Sequence, residues 1–191
     1  EYWSQYIDWK WMEPHYSEVL HPLLVPILTP YLEEIIAWRP TIVGFSIWYT
    51  NDTCASWIAK YLKERLPDVK IIFGGPQATQ GKLLYPDVPD HIVRGEGEAW
   101  FLHILEHYEN PNGVLDKELV QSKDERVDLD SMPPADYRDT PFDLYDKRAV
   151  SSEFSRGCIA KCQYCSETTF WKFRSRQADS VLAEFESVYK K

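Results

Sequence analysis

Basic residues, cysteine and long apolar runs are all scarce in this chain. Lysine and arginine number 21 against 30 aspartates and glutamates, so the formal charge at pH 7 is −9. A polyanionic partner needs a basic face, so nucleic acid is not expected. No basic stretch near the start leads into an uninterrupted apolar run, which predicts neither a signal peptide nor a membrane span. Four cysteines occur in 191 residues, and three of them share one loop instead of being dispersed in pairs. That distribution argues against a disulfide framework and for a reducing, cytoplasmic setting in which thiolates stay available as ligands. Repeats and low-complexity tracts are also missing. What remains, 44% hydrophobic and 27% charged, is the composition of a soluble globular chain with one sizeable core and part of a second.

The apolar pattern alternates between strand and helix. Residues 1–16 are dense in aromatics (Tyr2, Trp3, Tyr6, Trp9, Trp11, Tyr16) and are expected to pack on a neighbouring domain. Pro22, Pro26 and Pro30 are expected to break the next stretch, with Thr29-Pro30 opening a helix that runs to about Trp38. Thr41 to Trp48 reads as a strand buried on both faces. A helix follows, with Asn51 and Asp52 as capping groups and Ala55, Ile58, Ala59, Leu62 and Leu66 at helical spacing. Lys70 to Phe73 and His91 to Arg94 are two further strands. They close on Gly74-Gly75-Pro76 and on Gly95-Glu96-Gly97-Glu98, and the second precedes a helix carrying Phe101, Ile104, Leu105 and Tyr108. This alternation predicts an open, doubly wound, mostly parallel α/β sheet of Rossmann-like type, whose ligands sit beyond the carboxyl ends of the strands. The glycines fall at those ends, where close approach to a ligand and a merely tight turn both require them.

The densest chemistry lies at residues 156–165, Arg-Gly-Cys-Ile-Ala-Lys-Cys-Gln-Tyr-Cys. Cys158, Cys162 and Cys165 have Cys-x3-Cys-x2-Cys spacing, and Gly157 lets the backbone wrap tightly in front of them. Thiolate is a soft ligand for zinc, copper(I) or iron–sulfur clusters. A zinc loop needs a fourth ligand, from Cys54 or a histidine, whereas a cubane held by three cysteines leaves one iron open. His103 and His107, four apart on a helix, lack a third ligand nearby and read as an exposed face.

With Tyr164 just before its last cysteine, the loop resembles the signature of the radical S-adenosylmethionine (SAM) enzymes. The resemblance implies a [4Fe–4S] cluster on Cys158, Cys162 and Cys165. Its free iron would chelate SAM, and Tyr164 would lie near the adenine. Reduction by flavodoxin or ferredoxin would then release a 5′-deoxyadenosyl radical. Residues 41–108 resemble the cobalamin-binding domain that precedes the barrel in one subgroup of these enzymes. Gly44-Phe45-Ser46, Phe73-Gly74-Gly75-Pro76 and Val93 to Glu98 match its strand ends in order and spacing. The same resemblance makes Ser46, Gly74, Gly75, Gly95 and Glu96 corrinoid-contact candidates. Trp48 departs from the usual leucine, and the Asp-x-His-x-x-Gly signature for a lower axial histidine is absent.

The expected organisation is therefore a lead-in over 1–40, a B12-type α/β domain over 41–110 and an acidic, proline-containing linker over 111–147. The first βα unit of a radical SAM, TIM-like barrel follows over 148–191, with a strand at 148–154 and a helix at 177–191. A full barrel needs about 200 residues, so a truncated one is expected. The implied activity is C-methylation or another radical transformation of a small molecule or natural product. The alternatives are a radical SAM protein that has lost its corrinoid, and a zinc-stabilised binding module. A tRNA methylthiotransferase is disfavoured by the acidic charge.

Overall fold

A computed structural model describes residues 14–109, 114–121, 126–137, 140–144, 151–160, 162–165 and 172–189. The aromatic residues 2–11 and the start of the strand expected at 148–154 lie outside this set. The chain forms two compact units, Glu1–Glu125 and Arg126–Lys191.

The first unit opens with a π-helical turn, Tyr16–Leu20, running straight into helix α1, His21–Trp38. The prolines expected to break this stretch do not. Pro22 stands at the junction where the π-helical turn passes into α1, and its fixed φ suits the helical backbone there. Pro26 and Pro30 each remove one i→i−4 bond, but all three prolines are spaced by four on an exposed face, where water replaces the protein donor. Thr29 is accordingly inside the helix, its hydroxyl donating to the Val25 carbonyl at 2.7 Å. Arg39, in the left-handed region at φ 55, ends α1. Contrary to the sequence expectation, Tyr16–Trp38 is long and apolar enough to cross a membrane by length and composition alone. Within this unit it packs on a second helix through His21 against Trp57 and through Tyr61, whose hydroxyl donates to Glu33 at 2.7 Å.

Four parallel strands follow in the order β1 (Ile42–Ser46), β2 (Lys70–Gly74), β3 (His91–Arg94) and β4 (Glu118–Val120). Helix α2 (Asp52–Arg65) links β1 to β2, the short α3 (Pro76–Gln80) follows β2, and α4 (Gly97–Glu109) follows β3. Period-two alternation divides the sheet into two cores. Ile47, Ala55, Ala59, Val69, Ile71 and Phe73 fill the side covered by α2, while Ile72, Val93, Leu119 and Ile104 fill the side covered by α4. β4 corrects the expected boundary, since a strand lies inside the segment read as linker. Its only inward side chain, Leu119, is buried in register with Val93.

The second unit begins at Arg126, so the rest of the expected linker is built into it. Its described strands are β5 (Ser155–Arg156) and β6 (Arg174–Ser175), paired antiparallel, and its helix is α5 (Ala178–Tyr189). Residues 151–154 are not in a ladder, so the described part of the predicted barrel strand is replaced by this two-residue pairing.

Candidate functional site

In the first unit the sequence candidates gather at the carboxyl ends of β1, β2 and β3, but their side-chain directions differ. Ser46 pairs with Gly74 across β1 and β2. A Cβ on Gly74 would lie 3.9 Å from the Val93 Cβ, and Val93 pairs with Leu119. This row of the α4 side thus runs serine, glycine, valine, leucine, from small to large. One step back along β1, Gly44 is exposed, and a Cβ there would sit 3.9 Å from the Phe101 ring of α4. The result is a shallow trough floored by Gly44, Ser46 and Gly74 and walled by Phe101, which is 43% exposed. Added side chains would fill it.

Gly75 lies elsewhere. At φ 88 and ψ −174 it holds a conformation open essentially to glycine alone. A Cβ there would stand 2.8 Å from the Ile47 nitrogen, 2.9 Å from the Ser46 hydroxyl and 3.0 Å from the Ile47 carbonyl oxygen. This close approach is made by the chain's own backbone: the Ile47 N–H donates to Gly74 O at 2.8 Å, and the Gln77 N–H to Ile47 O at 3.0 Å. Gly95, at φ 105, is likewise backed by the chain, since its Cβ would meet the Gln121 side chain at 2.7 Å. Gln121 Oε1 accepts the Glu96 N–H at 2.8 Å, and Glu96 is buried. Among the candidates, Ser46 and Gly74 face the trough, whereas Gly75, Gly95 and Glu96 shape the loops around it. Gly44 and Phe101 complete it. The i, i+2 spacing of Gly44 and Ser46 was the sequence signal for the first of them.

Asn51 does not cap α2 with its side chain. Its Oδ1 accepts the Trp48 N–H at 2.8 Å and its Nδ2 donates to Ser46 O at 3.1 Å, so it braces the turn leaving β1. Asp52 is fully buried. Its carboxylate accepts the Leu84 N–H at 2.9 Å and the Ser56 hydroxyl at 3.3 Å, and burial pushes its pKa up against these bonds. It ties the 81–90 loop to the start of α2.

In the second unit the cysteine loop lies between β5 and β6. Gly157 turns at φ 75 immediately before Cys158. All three cysteines are free thiols; Cys158 and Cys162 are exposed and Cys165 is half-buried. The Cys165 N–H donates to Cys162 O at 3.1 Å, and the Ala160 N–H points at the Cys158 sulfur at 3.4 Å. Tyr164 is 93% exposed. Among the described residues no three His, Cys, Asp or Glu side chains gather as a single ion requires. The donor set is three thiols, which fits a cubane in which each cysteine binds a different iron and one iron stays open, whereas a closed zinc site needs a fourth ligand. Cys54 is on α2 in the other unit.

The stems of the loop are held by arginines. Arg156 makes a two-pronged pair with Glu153 at 2.8 and 2.9 Å. Arg174 donates to Val127 O at 3.3 Å, and the Asp130 carboxylate receives the Gln177 N–H at 2.9 Å at the start of α5. Composition and spacing alone do not reveal these partners.

Comparison with known proteins gives a family for part of the first unit and relatives for most of the chain. Residues 19–105 match the B12 binding domain family. The chain is 29% identical over 185 residues to the anaerobic magnesium-protoporphyrin IX monomethyl ester cyclase of Rubrivivax gelatinosus, covering 83% of this chain and 33% of that protein. It is 29% identical over 179 residues to the hopanoid C-3 methylase of Methylococcus capsulatus, covering 83% and 34%. The chain thus spans about a third of the length of these curated relatives. Among solved structures, the N-terminal domain of a hypothetical Thermotoga maritima protein aligns with a TM-score of 0.37 at 28% identity, covering 53% of this chain and 88% of that one.

Proposed function

We propose, from the premise that residues 19–105 carry a B12 binding domain, that this chain joins a corrinoid-binding sheet to the cluster-bearing segment of a radical SAM enzyme. The observation that carries this reading is the loop of three free, largely solvent-facing cysteines in Cys-x3-Cys-x2-Cys spacing on the same chain as that domain. Cys158, Cys162 and Cys165 are the residues that would hold a [4Fe–4S] cluster, with Gly157 turning the backbone into the loop. Bound there, such a cluster supplies the electron that cleaves SAM to methionine and a 5′-deoxyadenosyl radical. Tyr164, almost wholly exposed, offers a flat apolar surface to the adenine. In the first unit, Ser46 and Gly74, with Gly44, present a surface free of bulk and a hydroxyl to the tail of a corrinoid. A corrinoid there supplies a methyl group or tunes the radical outcome.

The proposed substrate is a small molecule or natural product, and the proposed electron donor a flavodoxin or ferredoxin in a cytoplasmic setting. The names of the relatives, an anaerobic cyclase and a C-3 methylase, support bond formation at carbon without choosing between methylation and ring formation. The test is anaerobic reconstitution of the intact protein with iron and sulfide, followed by addition of SAM and a reductant. Four irons per chain and release of 5′-deoxyadenosine are expected. Stoichiometric zinc in place of iron, or no 5′-deoxyadenosine with any reductant, refutes the reading.

A further inference from the structure

The two-residue ladder of β5 and β6 is too short to fix, by itself, the ends of the excursion 157–173 that carries the cysteines. The fastening comes from one buried carboxylate. Glu184, on the second turn of α5, is 4% exposed. One of its oxygens accepts the hydroxyl of Ser152, in the segment entering the loop, and the other accepts the guanidinium of Arg176, in the segment leaving it. Arg176 in turn donates its backbone N–H to Phe154 O at 2.9 Å, and its guanidinium reaches the Ser180 hydroxyl at 2.8 Å. Beside them the rings of Phe154 and Phe185 pack at 5.4 Å and shield the same joint.

We propose that Glu184 is the positioning residue of the cysteine loop, holding its two stems at a set separation through Ser152 and Arg176. This inference rests on the cluster reading above. Inside the loop the described bonds are local, so they do not set how far Cys158, next to one stem, stands from the rest of the cysteine set. That spacing follows from where the stems are held. The side chains of Arg176 and Glu184 are only 9% and 5% exposed, so water cannot stand in for either partner. Removing one leaves the other charge stranded in the joint. The hydroxyl of Ser152, together with Arg176, holds the Glu184 carboxyl below its ordinary pKa, so the carboxylate is ionised at neutral pH.

The test uses the intact protein, reconstituted anaerobically, as wild type, Glu184→Gln and Ser152→Ala. Glu184→Gln keeps the shape and removes the charge; Ser152→Ala removes a single hydrogen bond and keeps the ion pair, so it reports even where the first variant folds poorly. Three readouts are compared: iron release to a chelator well below the melting temperature, the electron paramagnetic resonance spectrum of the reduced cluster, and the melting temperature itself. Iron release is expected to quicken about threefold in Glu184→Gln, less than the ~10–100-fold typical of residues bonded directly to a metal ligand, because Glu184 holds the stems and not the cysteines. A smaller acceleration is expected in Ser152→Ala, and the resonance lines of both should shift. A lowered melting temperature with wild-type iron release and spectrum in both variants would make the network merely structural and overturn the proposal. A wild-type protein that takes up no iron overturns the cluster reading first and this one with it.

Discussion

Replacing Gly75 with alanine should unfold the carboxyl edge of the sheet before it affects any ligand. The backbone there, at φ 88 and ψ −174, lies where a residue with a Cβ is strained by about 1–3 kcal/mol. The new methyl would stand 2.8 Å from the Ile47 nitrogen and 3.0 Å from the Ile47 oxygen. Both are backbone atoms engaged in hydrogen bonds to Gly74 and Gln77, so they cannot swing aside as a side-chain tip would. Forcing them apart adds about 1–3 kcal/mol, the usual cost of overpacking. The total is about 2–6 kcal/mol, a large part of the ~5–15 kcal/mol that holds a typical domain together. At about 2–4 °C per kcal/mol for a chain of this size, the melting temperature should fall by at least ~4 °C. Equilibrium urea denaturation and thermal melting of the intact protein without added corrinoid provide the measurement. Gly97→Ala is the control, because its backbone is not in the positive-φ region and no atom lies within 4 Å of the added carbon. A Gly75→Ala protein that melts within a degree or two of wild type would refute the reasoning, and Gly75 would then be explained by the ligand alone.

Gly44→Val should do the opposite, leaving stability unchanged or slightly raised, because valine suits a strand, while filling the trough beside Phe101. Corrinoid binding, followed by its visible spectrum, should fall, and unchanged binding would remove the trough from the site. Cys162→Ala should retain the fold, since the side chain is exposed, yet hold no stable cluster; four irons per chain in that variant would disprove the ligand assignment. Asp90 supplies the pH dependence. Burial pushes its carboxyl up, but the Ile71 N–H at 2.7 Å and the Lys63 ammonium at 2.9 Å outweigh this and hold it below its ordinary value of 3.8. A lowered folded pKa means the stabilisation is present above pH 3.8 and is lost as pH falls through the folded value. Asp90→Asn should therefore cost about 1 kcal/mol at pH 7 and progressively less as the pH is taken below 3.8, as measured by urea denaturation across that range. A gap between variant and wild type that stays constant with pH would contradict this account.

Sequence by itself determined what depends on near neighbours along the chain. The spacing of Cys158, Cys162 and Cys165, the strand and helix periods from Ile42 to Glu109 apart from the short α3, and glycines at the strand ends all follow from local geometry and chemistry. They were legible without coordinates. The local rule that proline ends a helix fails at Pro22, Pro26 and Pro30 because they share an exposed face, where lost bonds are replaced by water. Tertiary structure decided what depends on distant residues. Strand β4 is only three residues long and gains its place from pairing with β3. Gly44 and Gly75 look equivalent in sequence, yet one faces the open trough beside Phe101 and the other is closed off by Ile47. Glu184 reads as one more helix carboxylate until the fold buries it between Ser152 and Arg176. Periodicity states which residues share a face, but only packing supplies the partner on that face, because the partner comes from another part of the chain.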